Sequence, residues 1–233
     1  WSKQFTLAEG ANNFTLQTQE ADGDNSLSAS FALNLEMVPT REVVVNEIAW
    51  MGTAASVGDE WIELYNASST AIDLTNWTVA ASDGTPSITI SGSCANTTIA
   101  AKSYYLLEKT NDSTVSNITA DCVYGGTEIL GNTGELLTLR NSSSKLIDKV
   151  GSSTVTWFAG NSGTNVTMER KDPAGDGASS SNWASNDETL VNGQDALGAN
   201  LKGTPKSLNS VNTTIPRVVT DLQIQYIYTT PNS

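Results

Sequence analysis

Residues 43–50 read Val43-Val44-Val45-Asn46-Glu47-Ile48-Ala49-Trp50, and residues 59–66 read Asp59-Glu60-Trp61-Ile62-Glu63-Leu64-Tyr65-Asn66. The first run is dense in β-branched and apolar residues, and the second mixes aromatic, aliphatic and acidic ones. Both suit a pleated surface that is buried on one side or on both. Neither holds an apolar period of 3.6 residues, so neither reads as a helix. The small residues of segment 51–58 make a loop between them. Two neighbouring strands at this point decide the fold class: the chain is read as all-β.

Outward from this pair the pattern repeats. Residues 71–74, 77–80, 87–91, 104–109, 136–140, 145–150, 155–158 and 165–170 are further short strand candidates, separated by Gly, Asn, Asp and Ser. About ten strands at roughly ten-residue spacing point to an antiparallel β-sandwich or barrel. Asn141-Ser142-Ser143-Ser144 sits between two alternating runs and reads as a hairpin turn. After Arg170 the composition shifts to Asp, Gly, Ala and Ser, which predicts long surface loops pinned by Trp183.

The ends have a different character. Residues 4–7, 13–19 and 29–36 alternate like strands, but three strands cannot build a core alone. The run from Leu7 through Glu9, Gly10 and Asn12 to Phe14 and Thr15, followed by the turn Asp22-Gly23-Asp24-Asn25-Ser26, resembles the last strands of an Ig-like bacterial domain. Residues 1–40 are therefore expected to be the end of a preceding domain of that kind, or an N-terminal extension. Residues 41–211 form the main domain. Residues 212–233 are expected to be a linker and the first strand of a following domain, with strand alternation over 218–228. On this reading the chain is a fragment of a longer protein.

Composition excludes several function classes. Twelve Lys and Arg stand against 25 Asp and Glu, giving a net charge of −13. Such a chain repels phosphate backbones, so no nucleic-acid partner is expected. The chain has no His, which removes Ser-His-Asp and Cys-His catalysis and imidazole metal sites. No apolar stretch is long enough for a membrane helix, and no membrane insertion of this segment is expected.

Cys94 and Cys122 make an even count in a chain with 56 Ser and Thr, which fits one disulfide in an oxidising compartment. Nine Asn-x-Ser/Thr sequons occur. Asn66, Asn96, Asn111, Asn117 and Asn141 are the candidate glycosylation sites among them, although composition alone accounts for about five sequons.

Two acidic clusters suggest calcium, the one cofactor considered. Asp22, Asp24 and Asn25 are closely spaced oxygen ligands in a turn, and Asp172 and Asp176 sit in an acidic loop. The first cluster also makes a turn for backbone reasons alone, and the second also reads as a solvated acidic loop. Glu47, Glu60 and Glu63 form the densest carboxylate group. A carboxylate pair can hydrolyse a glycoside, but strand alternation sends Glu60 and Glu63 to opposite faces. Hydrogen bonds from loop backbone, or ion pairs with Arg170 or Lys149, are the expected role, and no catalytic residue is assigned. Trp50, Trp61 and Trp77 lie in or beside strands and are expected in the core.

The two opening runs also belong to an ordered set of motifs. They are followed by Ile72-Asp73-Leu74-Thr75-Asn76-Trp77-Thr78-Val79, Tyr105-Leu106-Leu107-Glu108 and Asn132-Thr133-Gly134-Glu135-Leu136-Leu137-Thr138-Leu139. Then come Leu146-Ile147-Asp148-Lys149-Val150, Thr167-Met168-Glu169-Arg170, Asn182-Trp183-Ala184, Gly203-Thr204-Pro205 and Asn209-Ser210. In this order the set resembles the lamin tail domain in its bacterial form.

The resemblance implies an Ig-like antiparallel β-sandwich with long loops and a non-enzymatic structural or adhesive module of an extracellular or surface-attached bacterial protein. Its partners would be neighbouring Ig-like or fibronectin-type modules and a surface protein or glycan. The alternatives are a carbohydrate-binding module of a secreted hydrolase, and a surface fibre subunit that self-assembles through edge strands.

Overall fold

The structure is a computed structural model that describes residues 4–7, 10–19, 25–35, 39–127 and 129–214. Along the chain the strands are β1 (Gly10–Gln19), β2 (Asn25–Leu35), β3 (Val43–Ala49), β4 (Trp61–Asn66), β5 (Ile72–Asp73), β6 (Thr78–Ala81) and β7 (Ser87–Thr89). They continue as β8 (Thr98–Ile99), β9 (Tyr104–Glu108), β10 (Cys122–Val123), β11 (Leu136–Arg140), β12 (Leu146–Gly151), β13 (Met168–Arg170) and β14 (Trp183–Ser185). A 3-10 turn at Ser180–Asn182 is the only helical element among the described residues.

The two decisive runs sit at the centre of the larger sheet, whose order is β10-β9-β4-β3-β13-β14. A four-stranded sheet, β12-β11-β6-β7, lies against it. Neighbouring strands pair antiparallel except β9 and β10, which are parallel. The protein is an all-β, Ig-like sandwich.

Register explains which residues meet. Met168, Ile48, Ile62 and Leu107 are directly opposite one another across four strands and make an apolar row on the inner face of the large sheet. The smaller sheet answers with Ile88, Val79 and Leu139, and with Leu137 beside Val150. Every residue of β3 is buried, so this strand is covered on its outer face too.

Some expectations fail. Residues 155–158 form no strand: Trp157 packs as a plug, stacked on Trp50 at 6.3 Å, and its Nε1 donates to the Gly131 carbonyl. Residues 4–7 also lie outside any strand. The stretch read as surface loop contains β14, which pairs along β13. The short strands β8 and β10 carry too few residues for an alternation to be visible. Segment 1–40 contributes a hairpin, β1 with β2, in which Phe14 faces Phe31 at 5.3 Å. The strand expected over 218–228 lies outside the described residues.

Candidate functional site

Strand alternation puts Glu47, Glu63 and Glu169 on the face of the large sheet that points away from the sandwich core. Register aligns them, with Glu47 directly opposite Glu63 on β4 and Glu169 on β13. Like charges directly opposite each other are unfavourable, and these three are also buried, each 0% exposed.

The chain's return segment, residues 202–211, covers the row and supplies most of its hydrogen-bond donors, the others being Asn46, Thr167 and Asn186. Glu47 accepts from the Thr204 backbone N–H at 2.9 Å, from the Thr204 hydroxyl at 2.9 Å and from the Thr167 hydroxyl. Glu63 accepts from the Asn46 amide at 2.9 Å and from the Lys206 backbone N–H. Glu169 accepts from Ser210 Oγ at 2.6 Å, Asn186 Nδ2 at 2.6 Å and the Val211 N–H at 3.2 Å, and its Oε1 also lies 2.9 Å from Thr204 Oγ1. Asn209 ties the segment to the sheet again, donating to the carbonyls of Asn46 and Arg170.

Among the described residues no cation makes an ion pair with this row, although Lys206 is near enough to lower Glu63 somewhat. Lys206 Nζ turns to Asp121, Lys202 Nζ pairs with Glu188 at 3.2 Å, and Arg170 points to the opposite face. Burial, together with the Glu169 and Glu63 carboxylates, holds the Glu47 carboxyl well above its ordinary value. Burial pushes Glu63 up to about 8 and raises Glu169 as well. All six oxygens are occupied by donors from the protein itself. The arrangement anchors a segment and presents no free carboxylate pair to a substrate.

Sequence reasoning found Glu47 and Glu63 but missed Glu169, the third member. The signal was present: Asn46, Glu47, Glu63, Thr167, Glu169, Thr204, Asn209 and Ser210 all stand in the motifs that carry the family resemblance. Glu60 is apart from the row, accepting from the Leu130 N–H at 2.9 Å and pairing with Lys109 at 3.3 Å. Neither Glu47 nor Glu63 pairs with Arg170, contrary to one expected role. Arg170 lies on the core face, where it meets Asp148 of β12 at 2.6 Å.

Beside the row a cleft of about 230 Å³ opens on the same outer face. Its floor carries Tyr65 and Tyr104, opposite each other on β4 and β9, with ring centroids 5.1 Å apart and planes tilted by 41°. Leu208, Asn209, Asn212 and Thr214 form a wall from the return segment and the residues after it, and Lys102 stands at the rim.

The other sequence-derived sites fall in separate places. Cys94 and Cys122 are joined in a disulfide. Trp50, Trp61 and Trp77 are all buried. Asn66 is a correction among the glycosylation candidates: its side chain is fully buried and donates to the carbonyls of Thr70, Ile99 and Ala100, so it cannot present an amide to a transferase. Asn96, Asn111 and Asn117 are exposed and Asn141 is half-buried.

Asp172 and Asp176 do separate jobs. Asp172 accepts from the Ala174 N–H, and Asp176 accepts from the Ala178 N–H and pairs with Arg41. Among the described residues no three acidic or cysteine side chains are grouped to hold an ion. Asp22 and Asp24 lie outside the described residues, and of Asn25 only the backbone is placed, opposite Gln19.

No curated protein matches this chain significantly. Six chains of solved structures do. One is the crystal structure of a DUF4876 family protein from Bacteroides thetaiotaomicron, 10% identical, covering 87% of this chain and 85% of that chain with a TM-score of 0.42. The family model of the lamin tail domain matches residues 37–154, more than half of the sequence, and the chain belongs to that family.

Proposed function

We propose that this domain is a non-catalytic structural and adhesive module of a larger extracellular or surface-attached protein. Lamin tail domains are Ig-like modules, generally without catalytic activity. The observation that carries the proposal is the carboxylate row. Every oxygen of Glu47, Glu63 and Glu169 is met by a donor of the protein itself, most of them from the return segment and the rest from Asn46, Thr167 and Asn186.

The disulfide supports an oxidising location. Among the described residues no helix is long and apolar enough to cross a membrane. In this reading the sandwich spaces neighbouring Ig-like or fibronectin-type modules, and its loops meet a surface protein. The test is a panel of glycoside, ester and peptide substrates given to the wild type and to Glu63→Gln, beside a bead-adhesion assay on extracellular matrices. Adhesion without turnover is expected. Turnover that Glu63→Gln abolishes would overturn the reading.

The cleft over Tyr65 and Tyr104 favours a second reading, glycan binding. Aromatic faces and amide side chains suit a sugar, although the tilt between the rings leaves only one able to stack on a given sugar face. A glycan array carries this reading if its hits vanish in Tyr104→Ala. An array without hits removes it.

A further inference from the structure

The carboxylate row has fewer hydrogens than its contacts require. Thr204 Oγ1 lies 2.9 Å from Glu47 Oε2 and 2.9 Å from Glu169 Oε1. A hydroxyl carries one hydrogen, so it donates to one of these oxygens and turns a lone pair toward the other. With both carboxyls ionised, the second contact is repulsive. With a proton on either one, both contacts become hydrogen bonds: the acid donates to Thr204, and Thr204 donates to the remaining carboxylate.

The third neighbour cannot help. Asn209 Oδ1, 3.4 Å from the same hydroxyl, is also an acceptor, because Asn209 Nδ2 is committed to the carbonyls of Asn46 and Arg170. Thr167 Oγ1 repeats the shortage, with one hydrogen for both Glu47 Oε1 and the Lys202 carbonyl.

We propose that a proton shared between Glu47 and Glu169 through Thr204 is a latch that holds segment 202–211 on the outer face of the large sheet, and that alkaline pH releases this segment.

The charged and titratable groups around the latch leave the proton without a substitute. On β4, Glu63 lies directly across from Glu47, and Tyr65 follows it; β9 contributes Tyr104. The segment brings Lys206 and Lys202, whose ammonium groups are taken by Asp121 and Glu188. Arg170, next to Glu169 in sequence, is engaged with Asp148 on the core face. Loss of the proton therefore leaves two carboxylates flanking one hydroxyl, with a third alongside and, among the described residues, no cation paired with them. Burial displaces the Glu47 and Glu169 carboxyls upward, the direction that favours a retained proton. Release would also remove the Leu208 and Asn209 wall of the tyrosine cleft, coupling the state of the latch to access there.

Amide hydrogen exchange resolved by residue tests this in the whole domain. The reporters are the N–H groups of Thr204 and Val211, which donate to the row, and those of Ile48 and Ile62 in the sheet interior. Protection is corrected for intrinsic exchange. Between about pH 6 and about pH 9, protection at Thr204 and Val211 should fall at least about tenfold more than at Ile48 and Ile62, since each unit past a titration is tenfold.

Glu47→Gln can mimic the protonated form, its amide nitrogen at the Oε2 position donating permanently to Thr204 Oγ1. It should remove most of that pH dependence. Unchanged protection in the wild type overturns the latch, as does a fall shared equally by Ile48 and Ile62. Wild-type pH dependence persisting in Glu47→Gln overturns it too. The wild-type comparison decides independently of whether the variant folds.

Discussion

Arg170 illustrates how a charge survives at the centre of a β-sandwich. All five of its N–H groups find acceptors: Nη1 donates to Asp148 Oδ2 at 2.6 Å and the Val45 carbonyl at 3.0 Å, Nη2 to the Gly175 carbonyl at 2.7 Å and Asp148 Oδ1 at 3.3 Å, and Nε to the Asp172 carbonyl at 3.3 Å. Asp148 takes the Val45 N–H as well, and the guanidinium sits 5.7 Å from the Trp183 ring centre. Both charged side chains are 0% exposed. Replacing such a pair with matched apolar groups is often neutral, but removing one partner strands a buried charge. Asp148→Ala is therefore expected to lower stability by about 3–5 kcal/mol in urea unfolding. A loss below about 1 kcal/mol, the scale of an exposed pair, would show that the sandwich does not depend on the pair. The sequence alone suggested Glu47 or Glu63 as partners for Arg170. Alternation along β13 decides otherwise: if Glu169 faces the return segment, Arg170 must face the core.

At the scale of elements, the strands that were legible are those long enough to display a pattern. Leu136–Arg140 matches its expected bounds, while β3, β4 and β9 differ by a residue or two at one end. What stayed hidden was structure set by distant partners. Cys122–Val123 is a strand only because Leu107–Glu108 lies alongside it, and Trp183–Ser185 only because β13 does. The return segment has no periodicity to read, since its order comes from the carboxylates beneath it. The loop from Cys94 to Cys122 shows how such pieces are secured. Its ends are joined by the disulfide, across a sequence separation of 28. Inside that span the Asn96 N–H donates to the Asp121 carbonyl, and the Tyr105 hydroxyl to the Asn96 carbonyl. The double variant Cys94→Ser, Cys122→Ser loses the constraint on the unfolded chain, roughly 3.5 kcal/mol for a loop of this length. Its denaturation midpoint should fall well below that of the oxidised wild type and match the wild type in reductant. Equal midpoints with and without reductant would mean that the bridge does not limit stability.

For the whole molecule, the buried acids set how stability varies with pH. Burial pushes Glu63 and Glu108 up to about 8 and Glu135 to about 7, and it also raises Glu47, Glu60, Glu169, Asp59 and Asp148. Glu108 is the extreme case outside the row: the amides of Val115 and Thr114 face it, yet neither closes to a hydrogen bond. In the opposite direction stands Asp73, fully exposed and lowered by its hydrogen bonds from Thr75. Unfolded carboxyls titrate near about 4. Between there and about 8 the native state binds more protons than the unfolded chain, so stability falls as pH rises. The stabilising contribution is complete below about pH 4 and is lost progressively as the pH passes through the raised native values. A loss of only 2 kcal/mol lowers Tm by roughly 4–8 °C in a domain of this size. Tm at about pH 8.5 should therefore lie several degrees below Tm at about pH 5.5. Self-repulsion in a chain of net charge −13 predicts the same sign, but salt separates the two causes. Repulsion between exposed charges is screened in about 0.5 M NaCl, whereas proton loss from buried carboxyls is not. The expected result is a Tm difference that largely persists in salt. A difference that disappears in salt would assign the effect to surface charge, and a Tm that is flat or rising over this range would contradict the raised carboxyls altogether.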